Sequence, residues 1–267
     1  RYLKEELGVR ALVSGTQASY GGALGVLREA SIADYIDMHG YWEHPRFPRV
    51  SWDRNDWNIP NTSMTTSTTG GVPGQRAWLR VLGMPFTVSE YDHPAPHDHA
   101  AEMMPMYATL AALQDWDGIY SFSYFNSTYQ PGVQQIDNYF TQSTHPAKMA
   151  FMPIAAVLFR MGAVDAADTL LEASLAQEGL VDHILDGGDP FRSTSDPRGG
   201  YVVRHRVGTR IERTGVGLHI PELAPLEPTR GSDTGQVQWT PGEGARFLVN
   251  APAARVAVGW IQGEEVA

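Results

Sequence analysis

The chain has 267 residues, 42% of them hydrophobic, enough for one large α/β domain or a medium domain with a smaller one. With 30 acidic against 20 basic residues, a formal net charge of −10, its surface repels phosphate backbones, which argues against nucleic acid as a partner. The absence of cysteine removes disulfides, thiolate metal sites and cysteine nucleophiles, and no run of about eighteen apolar residues is present to span a membrane. Seven Trp, eleven Tyr and nine Phe suit stacking on neutral polar ligands such as sugars.

The opening Arg1–Gly8 reads as the end of a helix stopped at Gly8, expected to belong to a longer protein because neither an initiator Met nor a signal peptide is present; the compartment stays open. Val9–Gln17 reads as a short buried parallel strand, and Ala23–Ile32 as a helix with Leu24, Leu27 and Ala30 on one face. Tyr35–His39, continued by Gly40-Tyr41-Trp42, is a second strand. A long irregular stretch from Glu43 to about Gly74 follows, holding Trp52, Trp57, Asn61 and a Ser/Thr cluster; its aromatic content favours a functional lid. Ala77–Leu82 is expected to complete a helix ended by Gly83.

Pro85-Phe86-Thr87-Val88-Ser89-Glu90 is a third strand that delivers an acid at its C-terminal end, followed at once by a loop rich in Pro and His. Asp98 is placed to cap a helix over His99–Trp116, whose Met103, Met106, Leu110 and Leu113 form an apolar stripe. Gly118–Phe125 reads as a fourth strand ending in Ser123-Tyr124-Phe125-Asn126, and Pro146–Met161 as a helix. This alternation implies a parallel sheet or barrel. Beyond Gly162, a strand is expected at Asp168–Leu175, a short helix at Ala176–Ile184, and turns at Asp186–Pro190 and Asp196–Gly200. Short β-type pieces then follow at Tyr201–Arg206, Gln236–Trp239, Arg246–Asn250 and Ala254–Ile261.

In parallel α/β folds, ligands bind at the loops after the strand C-termini. Three such ends carry chemistry here: His39-Gly40-Tyr41, Ser89-Glu90 and Ser123–Asn126. Their order and spacing resemble the second half of the (β/α)₈ TIM barrel of the clan A retaining glycoside hydrolases. The resemblance covers roughly Val9 to Val164 and makes the four strands numbers five to eight. It implies that Glu90 is the catalytic nucleophile and that His39 and Tyr41 are its supporting pair. It further implies substrate contacts from Trp42, His93, Tyr124 and Phe125, no cofactor, and a carbohydrate substrate. On the same resemblance residues 1–164 are the C-terminal half of the barrel, 165–200 a connecting segment and 201–267 an incomplete β-rich accessory domain. The first four strands, and the acid/base glutamate at the end of the fourth, are expected from residues outside this chain. The Trp expected at strand eight as a sugar platform has no counterpart.

Plainer alternatives stand beside these assignments. Glu90 is equally a strand-end acid in an ion pair, and His39 and Tyr41 a pair satisfied by backbone. Trp42 serves as well to staple a loop as to stack on sugar. Gln17 and Ser14 end the first expected strand, on the side of the pocket. His93, His97, Asp98 and His99 crowd one loop as a zinc site would, although without a helical His-Glu-x-x-His pattern. A non-catalytic carbohydrate-binding protein on a degenerate barrel is the alternative from another functional class. No Gly-x-Ser-x-Gly elbow and no Gly-x-Gly-x-x-Gly turn is present, which disfavours serine hydrolase and dinucleotide chemistry.

Overall fold

A computed structural model describes residues 2–125, 136, 138–187, 197–215 and 217–261. After a π-helical segment Tyr2–Glu6, with Gly8 at φ +62°, the chain forms α1 (Gly22–Ile32), β1 (Ile36–Tyr41), α2 (Gly71–Ala77), β2 (Phe86–Asp92), α3 (Met103–Leu113), β3 (Gly118–Ser121) and α4 (Pro146–Ala155). The second part holds β4 (Leu170–Ala176), α5 (Leu180–Gly187), β5 (Arg206–Glu212), β6 (Leu218–His219), β7 (Arg230–Gly231), β8 (Val237–Thr240), β9 (Arg246–Ala251) and β10 (Ala254–Gly259).

The fold is mixed α/β. β1, β2 and β3 form a parallel sheet in that order, β7 to β10 an antiparallel four-stranded sheet, and β4 sits between β5, parallel to it, and β6, antiparallel. No closed barrel forms among the described residues. Ile36, Met38, Phe86 and Val88 are fully buried on the helix-covered face of the first sheet. Tyr91 stacks on Tyr107 of α3, ring centroids 3.4 Å apart. α3 is buried almost all round, because α4 and β10 pack against it as well as the sheet. This is why its apolar residues exceed a single stripe. The antiparallel sheet lays Trp239, Phe247 and Val249 against the 3₁₀ turn Met64–Thr66, and Trp239 Nε1 donates to the Thr65 carbonyl at 2.7 Å.

Several elements differ from the sequence expectation. Val9–Gln17 is not a strand. Its amides are taken by side chains instead, Val13 N by Asp34 at 2.7 Å and Gly15 N by Glu29 at 3.0 Å. The helix expected at Ala77–Leu82 lies earlier, at Gly71–Ala77, packed on a 3₁₀ helix at Pro197–Val203. That 3₁₀ helix also replaces most of the strand expected at Tyr201–Arg206, and β5 begins only at Arg206. Asp98 caps no helix; it pairs with Asn61, accepting from Nδ2 at 2.7 Å and donating its amide to Oδ1 at 2.9 Å. Of the expected turns, Asp186 and Gly187 belong instead to the end of α5 and Pro197–Gly200 to the 3₁₀ helix; Asn126 and positions 188–196 lie outside the described residues.

Candidate functional site

β1 presents Asp37, His39 and Tyr41 at every second position, so the three side chains share the face of the sheet opposite Ile36 and Met38. β2 answers with Thr87, Ser89 and Glu90. Asp37 accepts hydrogen bonds from the Thr87 and Ser89 hydroxyls, and Glu90 accepts one from the Tyr41 hydroxyl. His39 Nδ1 lies 3.1 Å from the same Glu90 oxygen, Oε2, and its Nε2 lies 3.9 Å from Asp37 Oδ2.

Ser89 and Glu90 share a face because β2 carries one extra residue. Met38 pairs with Val88 but His39 pairs with Glu90, and on the other side Val88 pairs with Ile119 but Tyr91 with Ser121. A β-bulge of this kind re-aims a side chain. Here it turns Glu90 toward Tyr41 while Tyr91 returns to the helix side.

The scaffold fixes this cluster closely. Arg76 of α2 is half-buried and donates from Nε to the His39 carbonyl at 2.7 Å. Gly40 lets α2 approach, since a Cβ there would meet Val72 Cγ1 at 2.4 Å. Gln17 Oε1 accepts from His39 N at 3.1 Å on the outer edge of β1. The Tyr41 ring is enclosed by Phe140, His44 and Phe122 at centroid distances of 5.0, 5.5 and 6.3 Å. Burial, and then the hydrogen bond to Glu90, push the Tyr41 hydroxyl far above the usual phenol range. Tyr41 is therefore a protonated donor at any working pH.

Next along β2 is Asp92, which is 0% exposed, as is Lys148 of α4; Asp92 Oδ1 accepts from Lys148 Nζ at 2.6 Å and from Gln142 Nε2 at 3.0 Å. Burial raises the Asp92 carboxyl to about 6 against the pull of Lys148 and Gln142, and burial lowers the Lys148 ammonium. Backbone hydrogen bonds around the pair tie the ends of all three parallel strands together. The Asp92 carbonyl accepts from Trp42 N at 3.0 Å, Phe122 N donates to the Tyr91 carbonyl at 2.9 Å, and Gln142 N donates to the Ser123 carbonyl at 2.9 Å.

The remaining sequence candidates go elsewhere. Trp42 packs on the core and its Nε1 donates to the Thr62 carbonyl at 2.8 Å, which holds the long loop down. His93 is fully enclosed, its Nε2 2.7 Å from the Tyr91 hydroxyl; burial pushes it well below the usual imidazole range. Tyr124 and Phe125 are 60% and 56% exposed and meet edge to face at 6.4 Å. His97 accepts the His99 amide at Nδ1 (3.0 Å), so its Nε2 carries the proton, 3.3 Å from Glu43 Oε2; burial lowers its pKa to about 4. Among the described residues no three His, Asp or Glu side chains gather as a metal site would require.

Sequence reasoning passed over Asp37, Thr87, Arg76, Asp92 and Lys148. Two signals were present. Asp37-x-His39-x-Tyr41 and Thr87-x-Ser89 have the two-residue period of one strand face, and Lys148 is a lone cation near the start of an otherwise apolar helix.

Comparison with protein-family profiles, curated proteins and solved structures returned no match. The functional reading rests on the geometry and on the sequence resemblance.

Proposed function

We propose that this chain carries the nucleophile of a retaining β-glycoside hydrolase acting on a β-linked oligo- or polysaccharide. One observation carries the reading. Glu90, near the C-terminal end of a parallel strand, stands on the open face of the sheet with Tyr41 donating to it and His39 beside it. The Tyr41 hydroxyl and the His39 ring hold the carboxylate oxygen in one orientation, as an attacking group requires.

The reaction requires two carboxyl groups about 5–5.5 Å apart. Glu90 attacks the anomeric carbon, the bond from that carbon to the leaving oxygen breaks, and the leaving oxygen takes a proton from a second carboxylic acid. The same second group then removes a proton from water, which attacks the anomeric carbon and releases Glu90. In this reading the second acid lies on the fourth strand of a (β/α)₈ barrel whose first four strands are supplied from outside these residues; β1, β2 and β3 are its strands six to eight, and Val9–Gln17, which forms no ladder and reaches β1 through Gln17 and the His39 amide, stands in the place of strand five.

Two features support the barrel. β1 and β3 each have a single strand neighbour among the described residues, so both edges of the sheet can take a further strand, as closure into a barrel requires. Beside β3 runs an apolar groove of about 400 Å³, lined by Tyr107, Ile119, Tyr120, Met152 and Phe159, where a further β-α unit would pack.

Covalent labelling tests the proposal. A 2-deoxy-2-fluoro-β-glycoside bearing a dinitrophenolate leaving group, which departs without acid assistance, is incubated with the complete protein and analysed by intact mass and peptide mapping. The expected result is one fluoroglycosyl adduct on Glu90, absent from Glu90→Gln. An adduct on another residue, or undiminished aryl β-glycoside hydrolysis by Glu90→Gln, overturns the assignment. Sugar binding without any adduct would move the chain to the class of non-catalytic carbohydrate-binding proteins.

A further inference from the structure

A second groove lies where the antiparallel sheet meets the α/β part, away from the open face that carries Glu90. Its volume is about 390 Å³, within the range of small-ligand sites, and its walls include Ser63, His99, Glu102, Phe151 and Trp260. Three properties set it apart from an incidental crevice.

The first is a rigid floor. Glu102 is buried and accepts from the Ser63 hydroxyl, Met64 N at 2.7 Å, Thr65 N at 3.3 Å and the Thr65 hydroxyl at 3.2 Å, which locks the Ser63–Thr65 turn. Asp98 is locked likewise by Asn61.

The second is an aromatic platform on an anchored backbone. Trp260 is 75% exposed, yet its amide donates to the Ala245 carbonyl at 2.9 Å. The residue before it, Gly259, stands at φ +101°, and a Cβ there would lie 2.3 Å from that carbonyl. Only glycine fits this turn, and the turn is what holds Trp260 at the groove.

The third is charge. Among the described residues no Lys or Arg lines the groove, and both carboxylates in it are engaged by internal donors. Phosphate or other anions find no counter-charge here, and a cation finds no open carboxylate pair. What the surface offers is two aromatic faces, from Trp260 and the partly exposed Phe151, and the half-exposed imidazole of His99, whose Nδ1 lies 3.8 Å from Glu102 Oε1, as a hydrogen-bonding group. That combination suits a neutral polyhydroxylated ring, whose C–H face stacks on an aromatic while its hydroxyls reach polar edges.

We infer that this groove is a carbohydrate-binding site separate from Glu90, with Trp260 as its stacking platform and His99 as its polar contact. It does not depend on the catalytic reading, because it shares no residue with that site.

Affinity gel electrophoresis of the chain through a neutral β-glucan, a xylan and a galactomannan tests it. The expected result is retardation of the wild type and of Glu90→Gln alike by at least one polymer. Trp260→Ala should weaken that binding about tenfold, the loss of one stacked ring, and His99→Ala should weaken it to a smaller extent. Trp260 and His99 are exposed enough that both variants should keep the wild-type circular dichroism spectrum. Retardation by none of the polymers, unchanged retardation of Trp260→Ala, or retardation abolished by Glu90→Gln alone overturns the inference. Labelling at Glu90 is scored separately, so either result stands without the other.

Discussion

Lys148→Met separates a buried ion pair while nearly preserving volume. Asp92 and Lys148 are both 0% exposed and 2.6 Å apart, and the substitution leaves the carboxylate with Gln142 as its remaining side-chain donor. Removing one partner of a buried pair typically costs about 3–5 kcal/mol. The cost should depend on pH, in a direction the structure fixes. Burial already lifts the Asp92 carboxyl to about 6 with the ammonium beside it, and without the ammonium it rises further. A carboxyl whose folded pKa exceeds its unfolded value contributes stability that is present at low pH and lost as pH rises through the folded pKa. Each pH unit over which only the folded state holds the proton is worth about 1.4 kcal/mol. The variant should therefore lie about 2 kcal/mol further below the wild type at pH 7.5 than at pH 5. Urea denaturation followed by far-UV circular dichroism at both pH values measures this. Asp92→Asn combined with Lys148→Met should recover most of the loss at pH 7.5. A single-variant cost under about 1 kcal/mol at pH 7.5, or a cost that does not change with pH, refutes the assignment of a buried charged pair at the strand ends.

Two further outcomes concern the scaffold of the site. Gly40→Ala places a methyl group 2.4 Å from Val72 Cγ1, and overpacking of this kind costs about 1–3 kcal/mol; thermal unfolding should show the loss, and adding Val72→Ala should return part of it. His97 and His145 are both lowered to about 4, chiefly by burial, with Lys148 acting in the same direction on each. The unfolded chain takes up these protons first, so the stability these two rings contribute should be complete above pH 6.5 and decline as pH falls toward 4, against the opposite trend from Asp92. Imidazole proton NMR checks the cause, since midpoints near 6.5 for these two rings would contradict it.

Much of the first sheet was legible because its strands are apolar runs of strand type closed by polar residues, and a parallel strand buried on one face keeps that signature. Glu90 was legible for the same reason, being the acid at the end of such a run. What escaped was set by distant residues. Val9–Gln17 has the composition of a strand, but Asp34, held by Lys4 at 2.7 Å, and Glu29 capture the amides that a ladder would have used. α2 starts earlier than its sequence suggests because Gly70 and Gly74 let it settle on the Gly199 carbonyl, where a Cβ would approach to 2.2 and 2.6 Å. His93 looked available from its place in the loop after β2, yet the Tyr91 side chain draws it inside. Asp98 looked like a helix cap, yet Asn61, far along the long loop, claims it first.

The extra residue in β2 reaches beyond local geometry. In an uninterrupted strand with Phe86 and Val88 inside, Glu90 would follow them into the core and Tyr91 would swing off Tyr107 onto the working face. One inserted position reverses both at once. Deleting Ser89 restores plain alternation with Glu90 still opposite His39 and Tyr91 still on its stack, so the fold should tolerate that loss better than the loss of either neighbour.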